Sequence, residues 1–350
     1  AALQILDCQH TCGSLIGTDY LRQSHAHAVG VFELLAQFGR LRVHRHVQPA
    51  LAQPGRRAVG ISPPVLVEDR HQQRGGRRGQ LGRQALEFLQ HQAHHHVAHG
   101  EAHPGQWVAA HRADPEAALR LPMENLALIE QSGFKEVTMP CAACFNRHKA
   151  AQHEIRHSPQ HKAAIDEQIG YVYQDQVEVT TMVQSLLKHI GTDKINRAVK
   201  KPLKDLNVVC YYGCLITRPP QITQYEHPEN PTDMDELVKA LGAQVHDWSY
   251  KTCCCGAAHS LTRPDIVVKL STSLIANARA AGAEAIVVSC PLCHMNLDAR
   301  QMQMEVSEPM PILYFSQLMA VAFGLPPKVA ALKKNLVDPM PLLRQKGLIG

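Results

Sequence analysis

The chain holds 350 residues, enough for about two domains, with 11 cysteines, 22 histidines and a formal charge of +5. No run of 18 apolar residues is present, so no membrane-spanning helix is expected. The charge is uneven: residues 1–120 hold 13 Arg, no Lys and 9 acids, and the rest holds 23 bases against 22 acids. The larger part therefore gives no electrostatic reason to expect nucleic acid as a partner.

The opening "AALQILDCQHTCGSLIG" lacks an initiator Met and a basic stretch before an apolar core, so a secretion signal is not expected. Further on, "RHQQRGGRRGQLGRQ" and "LQHQAHHHVAHGEAHPGQ" have weak periodicity and few large apolar residues from which to build a core. Three readings stand: an Arg/Gly-rich RNA-contacting tail, a His-rich metal tract around His94, His95 and His96, or the product of a shifted reading frame. The third is favoured. All 15 lysines lie after residue 134, and ordinary composition returns abruptly at "RLPMENLALIEQSGF". Residues 1–120 are therefore set apart as an anomalous, low-order segment.

From residue 121 the pattern is regular. "PMENLALIEQS" predicts a short helix with Pro122 near its start and Gly133 as its cap. "FKEVTM" predicts a strand, and Cys141-Ala-Ala-Cys144 follows. Later, "RPDIVVKLSTSLIANARAA" places Val267, Leu270, Leu274 and Ala278 on one helical face, Gly282 caps it, and "EAIVVS" predicts a strand before Cys290-Pro-Leu-Cys293. Helix, glycine, strand and Cys-x-x-Cys thus recur 149 residues apart, an internal duplication. Between them "LNVVCYYGC" is a strand running into Gly213 and Cys214. "DMDELVKALG" is a helix capped by Gly242, and "AQVHDWSY" is a strand leading to Cys253, Cys254 and Cys255.

Alternating strands and helices predict an α/β fold with mostly parallel sheets. The cysteine groups fall just past strand ends, at the edge where ligand sites collect in such sheets. Tight Cys-x-x-Cys pairs and an odd cysteine count point to metal or redox use in a reducing compartment, which is taken to be the cytoplasm. Adjacent thiols bridge each other only under strain. Zinc prefers ligands two to four residues apart. Neighbouring thiolates do suit a multi-iron centre. Cys214, Cys254, Cys255, Cys290 and Cys293 exceed by one the four ligands of a cubane and ask for something less symmetric. Cys210 and Cys253 read as buried small residues. A zinc-binding structural protein remains a third and weaker choice.

The stretches "VVCYYGCLITRP", "YKTCCCGAAHSLTRPDIV" and "IVVSCPLCHMNLDARQ" closely resemble the catalytic B-subunit of heterodisulfide reductases, which is built from two cysteine-rich CCG domains. "TMPCAACFNRHKAA" resembles the end of the first such domain and "PILYFSQLMAVAFGLP" the C-terminal region, so the likeness spans roughly residues 121–350. It implies that residues 121–205 are the remainder of a first CCG domain with connecting helices, and that 206–350 form the second. It also implies a non-cubane 4Fe–4S cluster held by Cys214, Cys254, Cys255, Cys290 and Cys293, with Cys141 and Cys144 as the closing pair of a first cluster. That first domain is incomplete: no cysteine lies between Cys12 and Cys141, and Cys8 and Cys12 sit far upstream without the expected context. The resemblance further implies reduction of a small disulfide, such as the mixed disulfide of two thiol coenzymes. Its expected partners are a flavin-containing subunit and a ferredoxin-like subunit of the same complex. His259, His294 and Arg218 flank the motifs, with roles open between proton donation, anion binding and structural hydrogen bonding. The alternatives are a CCG-domain electron-transfer component of another oxidoreductase and a non-catalytic one-cluster module.

Overall fold

A computed structural model of the chain describes residues 2–6, 42–46, 115–304 and 308–350. Strands β1 (Ala2–Leu6), β2 (Arg42–His46), β3 (Glu136–Met139) and β4 (Glu178–Thr181) form one parallel sheet in the order β2-β1-β3-β4. Strands β5 (Asn207–Tyr211), β6 (Gln244–Val245), β7 (Ala285–Val288) and β8 (Ile312–Tyr314) form a second, in the order β6-β5-β7-β8. Numbered within each sheet, both run second, first, third, fourth. The duplication read from the helix–strand–cysteine pattern is thus a duplication of topology.

Helices fill the crossovers that parallel strands require. They are α1 (Pro115–Gln131), α2 (Ala142–His157), α3 (Pro159–Ile169), α4 (Met182–His189), α5 (Thr192–Ala198), α6 (Cys214–Thr217), α7 (Pro220–Thr223), α8 (Asp233–Ala240), α9 (Pro264–Ala280), α10 (Pro291–Ala299), α11 (Phe315–Ala322) and α12 (Met340–Gln345). None among the described residues is long and apolar enough to cross a membrane.

The second sheet is buried on both faces, which explains its near-continuous apolar strands. Val208, Cys210, Ala285, Val287 and Leu313 face a core shared with α4, α8 and α11. Val209, Tyr211, Ile286, Val288 and Ile312 face Leu274, Ile275 and Ala278 of α9. The first sheet is two-faced. Val137 and Met139 of β3 meet Met123, Leu126, Phe145 and Ile165. Glu136 and Thr138 point the other way, into a polar network with α4. There Ser185 donates to Glu136 at 3.0 Å, and Lys188 and His189 each approach its carboxylate to 2.9 Å. Burial opposes ionisation of Glu136, but these donors outweigh it and hold the carboxyl below its usual range.

Two expectations change. Helix α1 starts at Pro115, so Pro122 lies inside it rather than at its start. "EAALRL" consists of strong helix formers, and Pro115 takes the first-turn position where a missing N–H costs nothing. The strand from "AQVHDWSY" shrinks to Gln244–Val245, because Trp248 turns inward to donate to the Cys210 carbonyl at 2.9 Å. Upstream of residue 115, "ALQIL" and "RVHRH" form β1 and β2. Their main-chain groups find partners in a ladder that β3 anchors. Cys8, Cys12, the Arg/Gly tract and His94–His96 lie outside the described residues, as do the positions bearing on a shifted frame.

Candidate metal centre

The site is assembled from three loops at the C-terminal edge of the second sheet. Just past β5, the Tyr212 and Gly213 N–H groups both donate to the Lys251 carbonyl, at 2.9 and 3.1 Å, stitching the first loop to the second. Lys251 is itself anchored. Its ammonium lies 3.0 Å from Asp235 and 3.1 Å from Asp247, and Tyr212 Oη donates to Asp235 at 2.6 Å. Gly213 has φ 73 and ψ 174, a conformation open essentially to glycine alone, and a Cβ there would lie 2.9 Å from Cys293 Sγ. Cys214 follows as the first residue of α6.

The triple cysteine separates its side chains. The Cys253 carbonyl accepts from Tyr211 Oη at 2.7 Å. Cys254 is exposed, and its Sγ accepts the Gly256 N–H at 3.2 Å. Cys255 points inward, its Sγ 3.6 Å from Cys293 Sγ. The glycine after them is needed twice over: φ is 80, and a Cβ would sit 3.2 Å from Val267 Cα on α9. In the third loop Cys290 occupies the N-cap of α10, Pro291 opens the helix, and Cys293 lies one turn in.

Packed thiols cannot all ionise, because like charges repel in a dry site. The structure settles this by pairing them. Hydrogen bonding from Cys214 brings the Cys254 thiol down to about 6 against the effect of burial, helped by the Gly256 and Ala257 amides and by His259. As the proton holder of that pair, Cys214 is pushed up, with burial adding to the effect. Cys290 falls well below the ordinary thiol range through interaction with Cys141 and Cys293, burial opposing. The backbone amides of Cys293 and Ala142 lower it further. Cys293 rises through its hydrogen-bond interactions with Cys255 and Cys290, burial adding to the effect.

Among the flanking residues, Arg218 reaches Thr252 Oγ1 at 3.2 Å, pairs with Glu229 and is partly exposed at the rim. His259 ends a short 3-10 turn, Ala257–His259, just after Cys254, and is half-buried. His294 is buried, stacked on Tyr314 at 4.4 Å with its Nε2 3.0 Å from the Ile312 carbonyl, and burial lowers its pKa. Of the roles left open for it, the geometry provides the structural one. Cys141 joins the group through Cys290. Cys144, one turn further along α2, is partly buried against the cores of both sheets. Three residues that the sequence pattern did not single out complete the site: Tyr211, which walls the thiols; Lys251; and Asn296, whose amide donates to the Cys255 carbonyl at 3.3 Å and approaches its sulfur at 3.6 Å. Asn296 lies three residues after Cys293 on a helix, a spacing that places both on one face and that the sequence displayed.

Among the described residues no three His, Cys, Asp or Glu side chains already close round a single ion. The sulfurs stand in pairs. An all-sulfur donor set whose members cannot ionise together suits a multi-iron centre that supplies the missing positive charge. An α/β lobe presenting Cys214, a Cys-Cys-Gly loop and a Cys-x-x-Cys helix start at one parallel-sheet edge is a cysteine-rich domain of the CCG class. The CCG cysteine-rich domain family matches residues 208–298.

Two relatives sharpen the assignment. The membrane anchor component of the 8-methylmenaquinol:fumarate reductase of Wolinella succinogenes is 32% identical, over 64% of this chain and 80% of its own length. The B-subunit of a CoB-CoM heterodisulfide reductase of Methanosarcina acetivorans is 30% identical, over 64% and 77%. The crystal structure of a hypothetical protein from Helicobacter pylori shares the fold, with TM-score 0.50 and 10% identity, over 64% of this chain and 42% of that one. The chain belongs to the heterodisulfide reductase B-subunit family of CCG-domain proteins, and is an iron–sulfur electron-transfer component of the oxidoreductase kind.

Proposed function

We propose that the chain is the iron–sulfur catalytic component of a heterodisulfide reductase-type complex that reduces a small disulfide to two thiols. What supports this is that Cys214, Cys254, Cys255, Cys290 and Cys293 all lie in the three loops and helix starts that follow the second sheet's strands, with Cys255 Sγ 3.6 Å from Cys293 Sγ. These five residues would hold one non-cubane 4Fe–4S cluster, which when bound supplies one-electron chemistry and thiolate affinity. Opening a disulfide takes two electrons and two protons. Exposed Cys254 marks the side from which a substrate arrives. Arg218 at the rim offers a cation to an anionic substrate, and His259, five residues after Cys254, offers an imidazole on the same loop. Tyr211 and the buried α10 face exclude water from the inner sulfurs. Electrons arrive in the cytoplasm from a ferredoxin-like partner and a flavin-containing partner in the same complex.

Anaerobic purification followed by iron and acid-labile sulfide analysis, then thiol release from a disulfide with reduced viologen as donor, tests the reading. Iron with sulfide, and thiol release dependent on the chain, are expected; zinc as the main metal without sulfide would overturn it. The 32% identity to a fumarate reductase component favours a second reading, a CCG protein relaying electrons in another oxidoreductase. Iron and sulfide present, the centre reducible, and no thiol released from any disulfide would select it.

A further inference from the structure

One buried side chain joins the Cys-Cys-Gly loop to the helix that carries Cys293. We propose that Asn296 is a positioning residue of the centre: its amide fixes Cys255 against α10 and donates to the Cys255 sulfur, which sets the reduction potential of the centre. The inference rests on the metal-centre reading above and deepens it. Asn296 is fully buried, and Cys255 and Ser260 are buried with it. Its Nδ2 lies 3.3 Å from the Cys255 carbonyl and 3.6 Å from Cys255 Sγ. A carbonyl oxygen only accepts, so the end of the amide that faces it is the NH2 end. That nitrogen carries two hydrogens, and Cys255 offers two acceptors for them.

The other end of the amide is held as well. Ser260 Oγ lies 2.9 Å from Asn296 Oδ1 and 2.9 Å from the Ala257 carbonyl, so its one proton bridges the Cys-Cys-Gly loop to α10. The Ser260 carbonyl in turn accepts from Arg300 at 2.7 Å. Arg300 caps α10, so two side chains of one helix grip the loop at a single residue. Cys293 stands three residues before Asn296 on that helix, with its Sγ 3.6 Å from Cys255 Sγ. The clasp on Cys255 therefore fixes the spacing of the two inner sulfurs, as outer partners fix metal ligands generally. An N–H directed at a thiolate also takes up part of its charge. The reduced centre carries one more electron than the oxidised one and gains more from that donor, so the potential rises. Gln301, next along, is a buried amide of the ordinary kind, donating to the Leu297 and Met310 carbonyls at 2.9 and 2.8 Å.

Two measurements test this. The first needs no metal. Isotope labelling of asparagine nitrogen in the full chain, freed of metal and kept reduced, displays the Asn296 side-chain amide by nuclear magnetic resonance, assigned through its loss in Asn296→Leu. Cys255→Ala, which removes the sulfur and keeps the carbonyl, is expected to move that resonance, and Cys254→Ala to leave it near its place. An amide that stays put in Cys255→Ala would overturn the proposal. The second is a redox titration of the iron-loaded chain followed by electron paramagnetic resonance. Asn296→Leu, close in volume and unable to donate, is expected to shift the midpoint potential negative. Asn296→Asp, which puts an acceptor in the donor's place, should shift it further, and Ser260→Ala, which keeps the amide but loosens it, should shift it less. Unchanged potentials in both Asn296 variants, or an equal shift from Gln301→Leu, would also overturn it. Neither measurement uses a disulfide substrate, so together they decide the role of Asn296 even if the disulfide-reducing activity fails its own test.

Discussion

Replacing Gly213 by alanine puts one methyl group where the structure has no room for it. Two costs can be separated. The backbone conformation, φ 73 and ψ 174, is one that side chains avoid at about 1–3 kcal/mol. The new Cβ would lie 2.9 Å from Cys293 Sγ, when carbon contacts settle near about 3.5–4.0 Å. The sulfur, or the loop, must therefore retreat by roughly 0.6–1 Å, the scale of overpacking that costs about 1–3 kcal/mol. Together these place the loss at about 2–6 kcal/mol, or roughly 3–8 °C in thermal midpoint for a chain of 350 residues. The retreating sulfur is a proposed iron ligand, so bound iron should fall more steeply than stability does. Gly133→Ala is the control: Gly133 also has positive φ, 79, but a Cβ there meets nothing within 4 Å. The assay compares thermal midpoint and iron per chain for parent, Gly213→Ala and Gly133→Ala. Equal iron content in the parent and the Gly213 variant would refute the account, as would equal damage from both variants.

Lys251→Met leaves Asp235 buried without its cation and should cost about 3–5 kcal/mol in urea unfolding, partly recovered by adding Asp235→Leu; no recovery in the double variant would show that the pair is not the cause. His148 is buried, with its Nδ1 facing the Cys144 carbonyl and its Nε2 facing Asn125 Nδ2, and burial lowers its pKa to about 4. Its neutral form stabilises the fold fully above about pH 6.5, and this is lost as pH falls through 4, amounting to about 3 kcal/mol. His148→Gln should flatten that acid limb of a stability–pH curve, and parallel curves for the two chains would rule this out. Cys254→Ser or Cys255→Ser should abolish the cluster's absorption, whereas Cys253→Ser should leave it nearly intact, since Cys253 meets the site through its carbonyl. Equal loss in all three variants would show the motif register to be wrong.

Local order was the legible part of the sequence. The face Val267, Leu274, Ala278 of α9 and the apolar run of β7 were visible because periodicity and burial coincide there. The repeated helix–glycine–strand–cysteine pattern made the duplication visible, whereas the strand order shared by the two sheets emerged only in the structure. Less visible was anything decided by a distant partner. β6 stops short because Trp248 finds the Cys210 carbonyl, a residue 38 positions away. His259 and His294 look equivalent in sequence, each next to a cysteine motif, and only the Tyr314 ring and Ile312 carbonyl set them apart. Cys141 reads as the property of its own repeat, because nothing local reveals that the first turn of α2 enters the neighbouring core.

All the proposed ligands lie beyond the strand ends, in loops and first helical turns, while the two faces of the second sheet are filled by aliphatic side chains. Scaffold and centre are therefore separable. A chain stripped of iron by oxygen would keep its sheets and crossovers, unlike a small zinc domain whose fold is made by its metal. Damage to the centre then becomes a repairable event: assembly machinery would meet a ready-shaped pocket, not an unfolded chain.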